Sequence, residues 1–340
     1  MTPEEQSSHI NLVRELSLPG GPLDKEGSHA TLSNPEWFRA DGRPRAGRRA
    51  LHARLRAEVA ELSGDPLQER KALVLAGPPG AGKGRVADSV LGADRDKYVN
   101  VDADEFKKLL LREAISDGSY ETWIVPQAVR DLEAEGERFY PLELASLVHE
   151  ESSMLAVQLR EELIDSGSNL IVDTVLASDG SAQRLGELFT SAGYEVTLID
   201  VEVPFEVSAD RIEQRWQSAM RDAEAGVTGA LGGRWVPSTY ARPLFETTHG
   251  RSRSQDVASR LAENCVSVMR YERHFTSRAE HEASQREARG AKPVLEMRMT
   301  RAQIGAPLID AKLAATLNRA AIARPRPGAQ QAPNQGFELS

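Results

Sequence analysis

A lysine at position 83 closes a glycine pattern suited to phosphate chemistry: Gly77-Pro78-Pro79-Gly80-Ala81-Gly82-Lys83-Gly84-Arg85, directly after the apolar run Leu73-Val74-Leu75-Ala76. The spacing G-x-x-x-x-G-K turns successive backbone N–H groups inward around an anion and lets the lysine reach the β- and γ-phosphates. Gly77 to Arg85 is therefore the expected ATP-binding segment, a Walker A loop in all but one position. After the lysine that motif carries Ser or Thr, whose hydroxyl binds Mg²⁺. Gly84 stands there instead, so another oxygen must serve the metal, directly or through water.

Acids and arginines follow at places where they can join the same chemistry. Asp102 and Asp104 lie in Val99-Asn100-Val101-Asp102-Ala103-Asp104-Glu105-Phe106, where an apolar strand turns into a helical pattern. A carboxylate at that edge can accept the proton of an attacking hydroxyl or hold Mg²⁺ through water. Capping of the following helix is the competing reading. Asp173 closes Asn169-Leu170-Ile171-Val172-Asp173-Thr174, and an apolar strand ending in an acid places a carboxylate near metal or substrate. Arg211, Arg215 and Arg221 follow Val203-Pro204, and Gly226, Gly229, Gly232 and Gly233 precede Arg234 and Arg242. Arginines on a segment that closes over the site can neutralise a transferring phosphoryl group. Composition does not choose among these five.

The elements that must position these groups alternate in type. Short apolar runs at 72–76, 98–101, 170–172, 196–203 and 266–268 predict strands, with helices between them at 85–92, 104–115, 142–166, 181–192, 205–224 and 255–263. The fold class expected is α/β: a P-loop NTPase/kinase-like parallel sheet with helices on both faces, plus helical N- and C-terminal extensions. Ligands bind such sheets beyond the carboxyl ends of the strands, where all the acids above fall. Residues 1–60 read as a polar, weakly ordered arm with a short helix at Ile10 to Leu16 and a basic helical stretch from Asp41 through Arg48, Arg54 and Arg56. The kinase region spans 61–273. A helical extension at 274–323 carries Ile304, Leu308, Leu313 and Leu317, and 324–340 reads as a disordered tail.

Bulk properties narrow the partners. With 42 basic and 51 acidic residues the net charge is −9, which argues against nucleic-acid binding through an overall positive field. No run of ~18 apolar residues occurs, so no membrane span is expected, and the N-terminus lacks the apolar stretch of a signal peptide. Cys265 is the single cysteine. It excludes an intrachain disulfide, suits a reducing cytoplasm, and reads as a small core residue.

Linked in this order, the motifs resemble the zeta toxins, P-loop small-molecule kinases typified by UDP-N-acetylglucosamine kinase, over roughly Lys71 to Arg273. The stretch Val101-Asp102-Ala103-Asp104-Glu105-Phe106-Lys107 is similar to the family's Ile-Asp-x-Asp-x-Phe-Lys/Arg motif. By that resemblance Asp104 is the base for a sugar 3′-hydroxyl, with Asp102 beside it as the metal candidate. Asn169 to Thr174 resembles Asn-Leu-Val-Ile-Glu-Gly-Thr, which implies that Asp173 and Thr174 meet the sugar substrate. Aligning Val203-Pro204 puts Arg215 on one γ-phosphate-binding arginine and Arg234, three residues before Pro237, on the other. In His149-Glu150-Glu151-Ser152, Glu150 or Glu151 serves the substrate, or the stretch is a solvated helix face. The resemblance implies ATP and Mg²⁺, a nucleotide-sugar acceptor, and a toxin held in check by an antitoxin protein or, in cis, by the arm at 1–60 shielding the ATP site. Two rivals remain open: a P-loop kinase for another acceptor, such as a nucleoside monophosphate or an antibiotic hydroxyl, and a non-catalytic nucleotide-binding regulator, for which Gly84 speaks.

Overall fold

The computed structural model describes residues 3–236, 241–287 and 290–322. Pro237 and the expected tail at 324–340 lie outside the described residues. In chain order the helices are α1 (Pro3–Leu16), α2 (Ala46–Glu61), α3 (Lys83–Leu91), α4 (Ala103–Asp117), α5 (Gln127–Ala134), α6 (His149–Ser166), α7 (Asp179–Ser191), α8 (Phe205–Glu224), α9 (Arg253–Asn264), α10 (Arg278–Arg286) and α11 (Ala311–Ile322). The expected helix at 142–166 divides: Pro141–Val148 winds as 3₁₀ and α6 follows.

β1 (Lys71–Ala76), β2 (Val99–Val101), β3 (Leu170–Asp173), β4 (Glu195–Glu202) and β5 (Val268–Phe275) pair in parallel in the order β2-β3-β1-β4-β5. This is the P-loop kinase-like α/β sheet that the alternation predicts. Along β1 the residues take turns between faces. Ala72, Val74 and Ala76 join a core with Phe106 and Leu110 of α4, Leu155 and Leu159 of α6, and Leu261 of α9. Leu73 and Leu75 join Val86 and Ala87 of α3 and Val207 of α8 on the opposite face. Each such leucine, fully buried, contributes about 1.5–3 kcal/mol, so helices are required on both faces of the sheet.

Two strands were not foreseen. β6 (Val294–Thr300) pairs antiparallel with β5, and β7 (Ile309–Asp310) with β6. β5 itself begins at Val268 and runs through Arg270, Glu272, Arg273 and His274, beyond the apolar run expected at 266–268. Charge hides this strand in the sequence. The fully buried Glu272 pairs with His274 at 2.8 Å and with Arg298 of β6 at 2.7 Å, so the charges are satisfied across the sheet.

The segment expected as a weakly ordered arm is folded onto the domain. Ile10, Val13, Leu23, Phe38, Leu55 and Val59 are buried. Much of the basic stretch is paired rather than solvated: Arg54 meets Glu113 and Arg56 meets Glu162. Exposed pairs of this kind add little, and the apolar side chains do the anchoring. Cys265 is buried as a core residue, its Sγ 3.6 Å from the Gly186 carbonyl oxygen. Among the described residues no helix is long and apolar enough to cross a membrane.

Candidate active site

The phosphate loop leaves β1 at Gly77, whose φ of +138° is open to glycine; a Cβ there would collide with the Val201 carbonyl. Gly80, at φ +73°, lies so near α8 that a Cβ would stand 2.8 Å from the Ser208 oxygen. Side chains of α8 fix the loop's outer rim: Ser208 Oγ donates to the Pro79 oxygen at 2.7 Å, and Arg211 donates to the Gly80 and Ala81 oxygens at 3.1 and 3.0 Å. The carbonyls are thereby occupied on the outside. The Gly77 and Ala81 N–H groups donate to the Val175 and Pro78 oxygens, and the N–H groups at the start of α3 remain for an anion. Lys83 opens α3, donates to the Gly77 oxygen at 2.9 Å, and sits 3.4 Å from Asp173 Oδ1 at the end of β3. At Gly84 a Cβ would meet nothing within 4 Å.

The Arg85 side chain lies on the outer side of the loop. Its guanidinium turns away from the cradle and donates to the Ala291 oxygen at 3.2 Å, packed against Gly290. Only its backbone N–H, in the first turn of α3, remains to a phosphate.

Asp102 and Asp104 have different partners. Asp102 caps α4, accepting from the Asp104 N–H at 2.8 Å. Asp104 Oδ1 accepts from Lys107 Nζ at 2.9 Å and from the Arg234 guanidinium. Burial alone would raise the Asp104 pKa, but the charges of Arg234 and Lys107 outweigh it and bring it down to about 2. Asp102 has no such partner. Burial, with the charges of Asp104 and Asp173, pushes it up to about 6.

The five arginines have different surroundings. Arg211 serves the loop carbonyls, Arg242 lies 4.7 Å over the Phe205 ring, and Arg221 is exposed on the last turn of α8. Arg234 reaches Asp104. Arg215 makes no hydrogen bond or ion pair among the described residues, yet it lies in the fields of Arg234, Asp104, Asp102 and Asp173; desolvation and then Arg234 lower its pKa. Thr174 sits beside Asp173 at the strand end, its Oγ1 accepting from the Leu176 N–H at 3.1 Å.

Glu151 is not brought to this cleft. It is fully buried, chelated by Arg48 of α2 at 2.5 and 2.7 Å and by His52 at 2.6 Å. Burial opposes its charge, but the bonds from His52 and Arg48 prevail and hold its pKa at about 2. Glu150 is taken by Lys25 at 2.6 Å. Glu151 is thus in the interior and Glu150 pairs at the surface, while His149, the first residue of the stretch, faces the charges near Asp104. His149 feels Lys107 and Arg234, and burial with those cations lowers it to about 4, so its imidazole is neutral. Lys107 and His149 were missed as site residues; the only signal was their place in the two motifs already quoted.

The polar contacts of the arm run away from the phosphate loop. From His9 to Ala60 no hydrogen bond or ion pair among the described residues reaches Gly77–Arg85; the arm's bonds run to α4, α6, Trp123, Glu137 and residues 143–146. The shielding of the ATP site in cis is therefore not seen.

Among the described residues no group of three or more His, Cys, Asp and Glu is arranged to hold a metal by itself. Mg²⁺ is commonly bound by one or two carboxylates together with substrate phosphates. Asp102 and Asp173 fit that donor set.

The sequence profile of the zeta toxin family matches residues 57–123 and 127–278. Among solved structures, the crystal structure of AvrRxo1-ORF1:AvrRxo1-ORF2 with sulphate ions is similar over 82% of this chain and 74% of that chain, at 21% identity and a TM-score of 0.50. The native complex of the same pair is similar over 84% and 75%, also at 21% identity and 0.50. The PezAT chromosomal toxin–antitoxin system of the human pathogen Streptococcus pneumoniae follows at 14% identity, 67% and 75% coverage and a TM-score of 0.42. No curated protein matches the chain. The likeness to the two AvrRxo1 structures speaks to the fold. The profile covers well over half the chain and contains the loop, Asp102, Asp104, Asp173, Arg215 and Arg234, so this chain belongs to the zeta toxin family.

Proposed function

We propose that the chain transfers the γ-phosphoryl group of ATP to a hydroxyl of a nucleotide sugar, UDP-N-acetylglucosamine being the first acceptor to test, and that it acts in the cytoplasm as the toxin of a toxin–antitoxin pair. One observation carries the reading: the Asp104 carboxylate is held by Lys107 and Arg234, and it and Asp173, which lies 3.4 Å from Lys83 of the phosphate loop, both act on the charge of Asp102. A hydroxyl acceptor needs a base there, and a phosphate acceptor does not.

In this reading the loop N–H groups and Lys83 hold the triphosphate. The adenine ring has room in a cavity of about 350 Å³ bounded by Gly82, Arg85, Arg211, Gln214, His281 and Gly290, on the outer side of the loop. Asp104 accepts the acceptor's hydroxyl proton as its oxygen bonds to the γ-phosphorus. The bond to the β–γ bridging oxygen breaks, and ADP leaves with that electron pair. A carboxylate of pKa about 2 is a weak base, which suits a loose transition state in which the proton is lost late. Arg215 and Arg234 face the charge spread over the transferred group. Asp102 and Asp173 would hold Mg²⁺, which when bound neutralises the β- and γ-oxygens. Asp173, Thr174 and His149 line the acceptor side, where neutral His149 can bond a sugar hydroxyl. Family membership supports an antitoxin protein as the partner.

Phosphorus NMR of the full chain with ATP, Mg²⁺ and UDP-N-acetylglucosamine tests this. A new phosphomonoester resonance is expected, and Asp104→Asn should slow its appearance by about 10²–10⁴-fold while ATP still binds. The open space at Gly84 favours one second reading, a nucleotide-binding regulator. ATP binding without Mg²⁺-dependent turnover on any acceptor in a panel of nucleotide sugars, nucleoside monophosphates and antibiotics would establish it.

A further inference from the structure

Helix α1 lies outside the part of the chain that the family profile matches, yet it packs behind both arginines of the cleft. Arg215 is followed by Trp216 and Arg234 by Trp235. The two indoles meet edge to face at 6.5 Å and 87°. Trp216 is buried in a cluster with Ile10 of α1, Tyr140 and Met220, and Trp235 packs on it. The segment 231–236 that carries Arg234 has no helix or strand of its own. It is laid directly on α8: a Cβ at Gly233 would stand 2.5 Å from the Trp216 ring, and the Gly233 N–H is 3.3 Å from Met220 Sδ.

From the other side α1 clasps both tryptophans. His9 is 2% exposed, stacked 6.1 Å from the Trp216 ring at 27°. Its Nε2 lies 2.8 Å from Glu143 Oε1, the same oxygen that accepts from Trp216 Nε1 at 3.2 Å, and its Nδ1 lies 3.1 Å from Glu137. Arg14 places its guanidinium 5.9 Å from the centre of the Trp235 ring, a distance at which a cation is drawn to an indole face.

We propose that α1 is an activating clamp: His9 and Arg14 are positioning residues that set Arg215 and Arg234 for phosphoryl transfer through Trp216 and Trp235. The proposal rests on the reading of those two arginines as phosphate-binding groups. It makes the N-terminal arm a working part of the kinase, opposite in sense to a built-in inhibitor.

The test compares the full chain with Arg14→Ala, Arg14→Lys and His9→Gln. Two readouts are taken: kcat and KM for ATP, and amide hydrogen exchange at residues 231–236 against β1 and β4 as controls. Because a displacement of about 1 Å can cost up to ~10²-fold, kcat in Arg14→Ala and His9→Gln should fall between about 10- and 100-fold with KM for ATP little changed. Exchange at 231–236 should quicken while β1 and β4 stay protected. Arg14→Lys, which keeps a cation over the ring, should recover most of both. Unchanged kcat and exchange in both variants overturns the proposal, as does a rise in turnover. Exchange that quickens equally in β1 and β4 marks a merely structural role and also overturns it. If the wild-type chain transfers no phosphate to any acceptor, the functional reading fails by itself, and exchange at 231–236 still decides whether α1 holds the segment.

Discussion

Asp102 and Asp104 stand two residues apart, and their carboxyls titrate in opposite directions. The difference is partnership: Asp104 has two cations, whereas Asp102 has burial and two acids for neighbours. Asp102 at about 6 binds its proton more tightly than the unfolded chain, where a carboxyl titrates near 4. The folded state therefore loses stability as pH rises from about 4 through 6, and the loss persists above. Asp102→Asn keeps a capping oxygen and removes that cost. Without metal, calorimetry should show it melting above the wild type at pH 8 and level with it at pH 4. Gly84→Ser is the complementary change. The position is helical with open space around it, so the added hydroxyl should leave the melting temperature nearly unchanged and lower the Mg²⁺ concentration for half-maximal turnover. An unaltered Mg²⁺ requirement would mean that the metal does not sit beside that residue.

At the scale of elements, burial decided what the sequence could reveal. Four of the five parallel strands were legible because both faces are covered, which makes β1 and β3 almost continuously apolar, whereas β5 is hidden by its charges. β6 lies towards the sheet's edge, with Val294 and Leu295 exposed and only Met297 and Met299 packed inward, so no clear alternation marks it. Lys83, Asp104 and Asp173 could be read because each follows a strand at the carboxyl edge. Glu151 could not be placed, since its partners Arg48 and His52 lie about a hundred residues earlier. Removing one member of a buried ion pair typically costs 3–5 kcal/mol, and Glu151→Gln should lower stability in urea unfolding by an amount of that order. The docking of α1 carries its own pH signature. Burial lowers the His9 pKa, but Glu143 and Glu137, the acids that face it, raise it above the ordinary value on balance. Its ionic contribution is complete below that ordinary value, about 6.5, and is lost as pH rises through the folded-state value. Tryptophan fluorescence should report loosening of α1 on the alkaline side, and His9→Gln should abolish that transition.

For the whole molecule, the arm's position reverses the expectation attached to it. Leu23, Phe38, Leu55 and Val59 are in the core or against it, and α2 packs on α4, α6 and β2. Deleting residues 1–60 should strip this cover and yield a chain that unfolds at lower temperature and turns over less ATP, as thermal melting and a coupled ADP assay would show. A rise in turnover would restore the arm as an inhibitor.

The lone thiol offers a practical route into these motions. Cys265 is buried between α7 and α9, against Gly186 and Thr190. A sulfhydryl so enclosed reacts slowly with maleimides and similar reagents. A cysteine introduced on the exposed surface of α1, at Glu15 for example, would therefore take up a dye almost alone. The indoles of Trp216 and Trp235 beneath it would act as native energy donors, so the clasping and release of α1 could be followed in solution on a chain altered at one surface position.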